Sequence, residues 1–479
     1  MQIVFEGNTR FDNSYGIVNL NLADALRVRG HRVFVNAWDQ SQQECDESCA
    51  TLGLPPFSSK LIEEQDICIR QFWPPQWDRP KARVFIVIQP WEYGGVPLQW
   101  VHQLDRVDQI WACTRFVKSC WVEGGAEPTK IHIVPNGVHQ NKHSAVTKNL
   151  GQLLFLGGGI WRKGVDLFIQ AVDGLSDDEL SRISVVIKES GVNSFYRNQS
   201  LVETFLAEYP RVRAVTEVCR ETMSRRVLDD LIARSQALVH PYRAEGFYLG
   251  GLEAMSLGTN VVMTRGGAGD DYANDGNAVM VDAVTTIGYG KTDPDQVPIG
   301  GVPHWLEAKV SDLTRGIREV LAPSDAMESR ILAGYQTAAK FSWDNSARCA
   351  EVAITSALTG DPRTDAFVSV ENAVDTVLTE WTPESLSFAV GLLIERHDFH
   401  GARELIACYA PHDLDGHTSS LSGQLKVITS RQVDLWHDAT YRTRIRNAVD
   451  TLAHDCTDQS TLRFMVDCSS PVAKDANDS

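Results

Sequence analysis

Two carboxylates eight positions apart frame a glycine-rich turn in HPYRAEGFYLGGLEAMSLGTNVV, residues 240–262: Glu245 and Glu253. Apolar residues at helical spacing begin near Leu249. That puts Glu253 one turn into a helix and Glu245 in the loop after the strand ALVH. The unpaired N–H groups of residues 247–251 and the helix dipole favour an anion there. A carboxylate beside that spot suits hydroxyls, since it accepts two hydrogen bonds from neighbouring O–H groups. Phosphate and sugar hydroxyls together describe a sugar nucleotide. The plainer reading makes Glu253 a solvated residue of the first helical turn and Glu245 a capping acid. Spacing alone does not separate the two.

The elements that must hold these residues form two similar series. QIVFE, a turn-rich GNTRFDNSYG, the helical IVNLNLADALRVRG and HRVFVNA open the chain as strand, loop, helix, strand. DICIR, ARVFIVIQ, QIWACT and KIHIVPNG follow as short apolar runs ending in polar, Pro or Gly residues, as parallel strands do. The polar stretch 139–150 reads as a linker. The series then restarts with QLLFLGGG, VDLFIQAVDGL, RISVVIKES, VLDDLIARSQ, ALVHPY, LGGLEAMSLG and NVVMT. Two doubly wound halves joined by a linker make a cleft, with ligands expected beyond the carboxyl ends of the strands. Residues 283–305, rich in Gly, Pro and Asp, read as a surface loop. ILAGYQTAAKFSWDNSARCAEVAITSAL reads as two helices. Beyond Gly360 the strand pattern stops and the chain reads as helical, with one unit similar to a tetratricopeptide repeat and no second copy.

EGFYLGGLEAMSLGTNVV resembles the E-x7-E segment of retaining glycosyltransferases of family four, which have the GT-B fold. FLGGGIWRKGVDLFIQA is similar to that family's glycine strand-end, Lys-Gly pair and helix. VDQIWACTRFVKSCWVEGGAEPTKIHIVPNGV resembles the end of its first domain, and FSWDNSARCAEVAITSAL its closing helix. Matching pieces cover about residues 1–358. The resemblance implies an α/β GT-B fold of two Rossmann-like domains, an acceptor-side domain over 1–140 and a nucleotide-sugar domain over 150–342. A closing helix over 343–358 would cross back to the first domain, with a helical extension over 360–479. It also implies roles. Glu253 would bind the donor ribose and Glu245 the 3- and 4-hydroxyls of the transferred sugar. The backbone of Phe247, Tyr248 and Leu249 would touch sugar and diphosphate, and Lys163 would neutralise the diphosphate. Gly16 would approach the phosphates from the other domain.

Two features depart from the family pattern. An arginine usually stands five residues before the lysine; here that position is Gly158, leaving Arg162 or Arg243 to supply the charge. The usual loop is Gly-Phe-Gly-Leu-Pro; here it is GFYLGG, with Tyr248 and Gly250 in unusual places, and Tyr248 would bring a ring near the sugar pocket.

Other chemistries fit less well. GGGIWRKG fails as a P-loop because Lys163 precedes Gly164, and no G-x-G-x-x-G follows the first strand. In GAGDD, Asp270 and Asp271 read as helix-capping acids rather than metal ligands. Cys45 and Cys49 have no zinc-spaced companions. Trp73, Trp77, Trp91 and Trp100 read either as packing or as an aromatic wall for the acceptor. Glu92, in the same loop, is a candidate near the reacting centre. His102, His132 and His240 read as structural.

The composition is that of a soluble globular protein, 43% hydrophobic and 22% charged, with a net charge of −17 that argues against a nucleic-acid backbone as main partner. No signal peptide or membrane span is recognisable, so a cytoplasmic protein is expected. The expected activity is metal-independent, retaining transfer of a hexose from a nucleotide diphosphate sugar such as UDP-glucose or GDP-mannose, with no cofactor. The acceptor stays open among glycan, metabolite, lipid-linked sugar, protein side chain and modified nucleobase. The extension would offer a surface for a protein partner or a dimer. The alternatives are a non-catalytic GT-B binding protein and a sugar-nucleotide epimerase on the same fold.

Overall fold

Short apolar runs become the strands of two parallel sheets. β1 (Gln2–Gly7), β2 (Arg32–Ala37), β3 (Ile67–Gln71), β4 (Val84–Ile88), β5 (Gln109–Ala112) and β6 (Ile131–Ile133) form the first, in the order β2-β1-β3-β4-β5-β6. β7 (Asn149–Gly157), β8 (Ser184–Glu189), β9 (Thr216–Cys219), β10 (Ser235–His240), β11 (Asn260–Thr264) and β12 (Val279–Val281) form the second, in the order β12-β11-β10-β7-β8-β9. All pairings within both sheets are parallel. Parallel strands covered on both faces read as unbroken apolar runs, and β3, β4 and β10 are buried throughout. Helices fill the crossovers, giving the two Rossmann-like domains of a GT-B fold.

The computed structural model describes residues 1–60, 66–140, 147–191, 199–288 and 299–359. The chain divides into two compact units, Met1–Phe367 and Val368–Ser479, and the described residues all fall in the first. The helical reading of 360–479 lies outside the described residues.

The first helix runs Ser14–Val28, its N-terminus capped by the Asn13 side chain on the Gly16 N–H. The last described helix, Trp343–Thr359, places Trp343, Ala347, Ala350 and Ile354 on one face at helical spacing. That face enters the core of the first domain beside Ile3, Leu22 and Trp111. Gln109 donates to the Ala353 carbonyl at 2.7 Å, and Arg29 pairs with Asp344 and Glu351. Another apolar cluster joins Trp100 and Trp121 of the first domain to Phe247, Leu252 and Tyr272 of the second. The domains therefore meet through an apolar interface.

Residues 283–305 differ from the expected surface loop. β13 (Ala283–Ile287) and β14 (His304–Ala308) pair antiparallel as a hairpin. Its inner residues reach the first domain: Gly94 N–H donates to the His304 carbonyl at 3.3 Å, and Gly300 N–H to Val96 at 2.8 Å. Glycine and proline on either side of the strands hide this hairpin from a composition-based reading.

Candidate active site

The second sheet reverses its winding between β7 and β10, and the carboxyl ends of those strands flank the crevice where such sheets bind ligands. β7 delivers the turn Trp161–Lys163, and β10 ends at His240 before the loop that carries Glu245. One close approach sets the first of these against the second. Gly164 has φ 74°, and a Cβ there would sit 2.0 Å from the Pro241 carbonyl oxygen. Only glycine lets the lysine turn lie against the loop.

Glu245 is the hub. Lys163 Nζ and His240 Nε2 both reach Oε1, the histidine at 2.8 Å, and Arg162 Nη1 reaches Oε2 at 3.3 Å. Burial works to raise the Glu245 carboxyl, but Lys163, the His240 hydrogen bond and Arg162 outweigh it and hold the group well below the usual carboxylate range. Burial pushes His240 down to about 4, against the pull of Glu245. At neutral pH the imidazole is therefore uncharged, and an ionised carboxylate at Nε2 places its single proton there. Sequence reading took His240 for a structural histidine. Its position at a strand end, five residues before the loop acid, was the available signal.

The two arginines proposed for the diphosphate have different surroundings. Arg243 is locked by Asp166 at 2.7 and 2.8 Å and by Glu307 of β14 at 2.9 Å, with its guanidinium 4.6 Å from the centre of the Trp161 ring. Arg162 stands beside Lys163. It donates to the Ala244 carbonyl at 2.8 Å and faces Glu92 of the first domain at 3.4 Å. Gly158 lies buried in the turn between β7 and Trp161. Arg162 and Lys163 thus both reach Glu245, and Glu92 of the first domain meets Arg162.

Tyr248 takes a left-handed backbone conformation, φ 66°, that glycine would adopt freely. Its ring turns under the loop and stacks on His240, and its hydroxyl donates to the Leu156 carbonyl at 3.0 Å. A Cβ at Gly250 would lie 2.9 Å from the Tyr248 ring tip. The two departures from the family loop therefore belong together: the tyrosine ring fits because residue 250 has no side chain. Phe247 points into the core against Tyr272 and Phe341, and Leu249 starts the helix Leu249–Ser256.

Glu253, one turn into that helix, is nine-tenths buried and pairs with Arg225, which also binds Asp229. Arg225 opens the helix Arg225–Arg234 and escaped the sequence reading, because nothing local ties it to a residue 28 positions away. Gly16 sits in the first turn of its helix, its N–H held by Asn13 at 2.8 Å. Asp271 accepts the Arg115 backbone N–H at 2.9 Å, capping a first-domain helix, and Asp270 accepts from Gly266. Trp91 and Trp73 meet Trp100 edge-on, at 5.0 and 5.7 Å, and Trp100 stacks on Trp121, so the tryptophans pack chiefly on one another. Among the described residues no group of three or more His, Cys, Asp or Glu is placed to hold a metal ion, and no helix is long and apolar enough to cross a membrane.

Residues 151–287 match the family model for glycosyl transferases group 1. Among solved structures, the chain is similar to a glycosyltransferase from Rickettsia africae (14% identity, TM-score 0.56, covering 75% of this chain and 99% of that one). It is similar to HepE of Anabaena with UDP and glucose bound (12%, 0.55, 74% and 100%). It is also similar to sucrose-phosphate synthase from Thermosynechococcus elongatus (12%, 0.54, 75% and 100%). No curated protein matches the sequence. With a glycosyl transferases group 1 domain as the second half of a GT-B fold, the chain is a glycosyltransferase.

Proposed function

We propose that the chain is a retaining glycosyltransferase that moves a hexose from a nucleotide diphosphate sugar to an acceptor hydroxyl without a metal ion. The observation that carries this reading is Glu245 held between Lys163, Arg162 and a neutral His240, at the crevice between β7 and β10. Two cations beside a helix N-terminus suit a diphosphate. An ionised carboxylate between them suits sugar hydroxyls. The Anabaena HepE complex holds UDP and glucose, which supports UDP-glucose as the first donor to try.

In this reading Glu253 exchanges Arg225 for the ribose hydroxyls. Lys163 and Arg162 lower the barrier by stabilising the departing diphosphate as the anomeric carbon gains oxocarbenium character. The backbone of Phe247, Tyr248 and Leu249 lines the sugar and phosphates. The acceptor hydroxyl attacks on the face the diphosphate leaves, and its proton passes to the leaving phosphate, so no protein base is needed. Glu92 closes on Arg162 from the first domain and helps exclude water.

The test is the anomeric configuration of the product, read by proton NMR, together with the rate in excess chelator. Retention and an unchanged rate support the proposal. Inversion rules out retention, and loss of activity on chelation that added divalent metal restores rules out metal independence.

A further inference from the structure

A small cavity opens beside Glu245, between the loop that follows β10 and the hairpin of β13 and β14. It holds about 20 Å³, room for roughly two heavy atoms. Phe116, Tyr242 and Leu306 supply its apolar walls, Glu92 and Glu245 its carboxylates, and His304 an imidazole. The Tyr242 hydroxyl is already spent on the Gly266 carbonyl at 2.6 Å. Arg243 also lines the cavity, but Asp166 and Glu307 hold its guanidinium. Arg162 and Lys163, the cations suited to a diphosphate, do not line it.

His304 is fixed in one tautomer. Its Nδ1 lies 3.0 Å from the Val302 carbonyl, which only an Nδ1–H can satisfy. Burial pushes the ring below the ordinary histidine range, against the pull of that bond. The imidazole is therefore neutral, and Nε2 is an acceptor. Among the described residues Nε2 has no hydrogen-bond partner. The first domain fixes the ring from its other side. It packs on Gly94, where a Cβ would sit 2.0 Å from Nδ1, and Phe116 meets it edge-on at 6.0 Å. The second domain anchors the same strand, through the Leu306 N–H on the Arg243 carbonyl at 2.8 Å. An acceptor without a donor, held rigidly at a cavity wall, marks a place where a donor arrives.

We propose that this cavity takes the hydroxymethyl group of the transferred hexose, and that His304 selects the donor sugar by accepting a hydrogen bond from that hydroxyl at Nε2. The inference rests on the transferase reading above, in which Glu245 holds the sugar's hydroxyls. A sugar on Glu245 presents its substituents to the adjoining cavity, and the diphosphate end stays with Arg162 and Lys163 outside it. A ring hydroxyl is a single heavy atom and underfills the space; the hydroxymethyl carbon and oxygen fill it. A pentose leaves the cavity empty. A 6-deoxy sugar fills it but leaves Nε2 unpaired. A hexuronate brings a carboxylate to walls that already carry two, where the lining cation Arg243 is taken.

Calorimetric titration of the full-length protein tests it. The probes are UDP, GDP, ADP and dTDP, each bare and joined to glucose, 6-deoxyglucose, xylose or glucuronic acid. On the nucleotide that binds, we expect the glucose form to bind about tenfold or more tightly than the other three sugar forms. His304→Leu should bring the glucose form down to the level of the 6-deoxyglucose form, with the bare nucleotide binding as before. A glucose form no tighter than the other three, or a folded His304→Leu protein that keeps the preference, overturns this inference and leaves the donor reading standing. No binding of any bare nucleotide overturns both. Should the variant not fold, the wild-type panel decides.

Discussion

Tyr248 lies flat on His240, with ring centroids 3.5 Å apart and planes 8° from parallel. The stack closes the floor beneath Glu245, and it exists because Gly250 leaves room for the tyrosine ring. Gly250→Ala is predicted to cost about 1–3 kcal/mol through overpacking, since its Cβ meets the ring at 2.9 Å. In a Tyr248→Gly background the same change should cost much less. Denaturant unfolding of the four proteins of this double-mutant cycle measures the coupling. Additive effects would show that the two positions vary independently.

His240 makes stability fall with acid over a defined range. The folded value is about 4, against 6.5 for an ordinary histidine, so the unfolded chain takes up the proton first as the pH drops. The stabilisation is fully present above about pH 6.5 and is lost as the pH falls towards 4, a difference of about 3 kcal/mol. His240→Gln keeps a donor towards Glu245 and does not titrate, so its stability should decline less over that range. Unfolding free energies at pH 7, 5.5 and 4 check this. Equal declines in both proteins would count against the buried, neutral imidazole.

Arg243 and Arg162 should fail in different assays. Arg243→Met leaves the buried Asp166 unpaired and is predicted to cost about 3–5 kcal/mol of stability. Arg162→Met should weaken a nucleoside diphosphate roughly 10- to 100-fold, as loss of a charged hydrogen bond does, and a nucleoside monophosphate less. Calorimetric titration with UDP and UMP separates them. An Arg162→Met protein that binds UDP normally would remove this residue from the phosphate site.

Much of this arrangement was legible in the sequence because local pattern and tertiary role coincide there. Unbroken apolar runs marked β3, β4 and β10, and the spacing of Lys163, Glu245 and Glu253 placed them at strand ends and a helix start. What escaped depends on distant contacts. β9 is a four-residue, half-exposed strand with no clear period. The hairpin of β13 and β14 hides among glycines and prolines, and its role appears only where Glu307 grips Arg243 and Trp305 meets Trp161. Arg225 looks like any first-turn arginine until the fold brings Glu253 beside it. Tyr248 was expected to bring its ring near the sugar pocket; with the backbone at φ 66° the ring lies on His240, with Lys163 Nζ 5.9 Å from its centre.

The most direct measurement is a thermal-shift series with UDP, GDP, ADP and dTDP on the wild type and on Glu253→Ala and Lys163→Ala. A ligand that binds only the folded state raises stability by RT ln(1 + [L]/Kd). One nucleotide at millimolar concentration should give a clear rise, lost in Glu253→Ala and reduced in Lys163→Ala. No rise with any nucleotide, or the same rise in all three proteins, would contradict the claim that this crevice holds a nucleotide sugar.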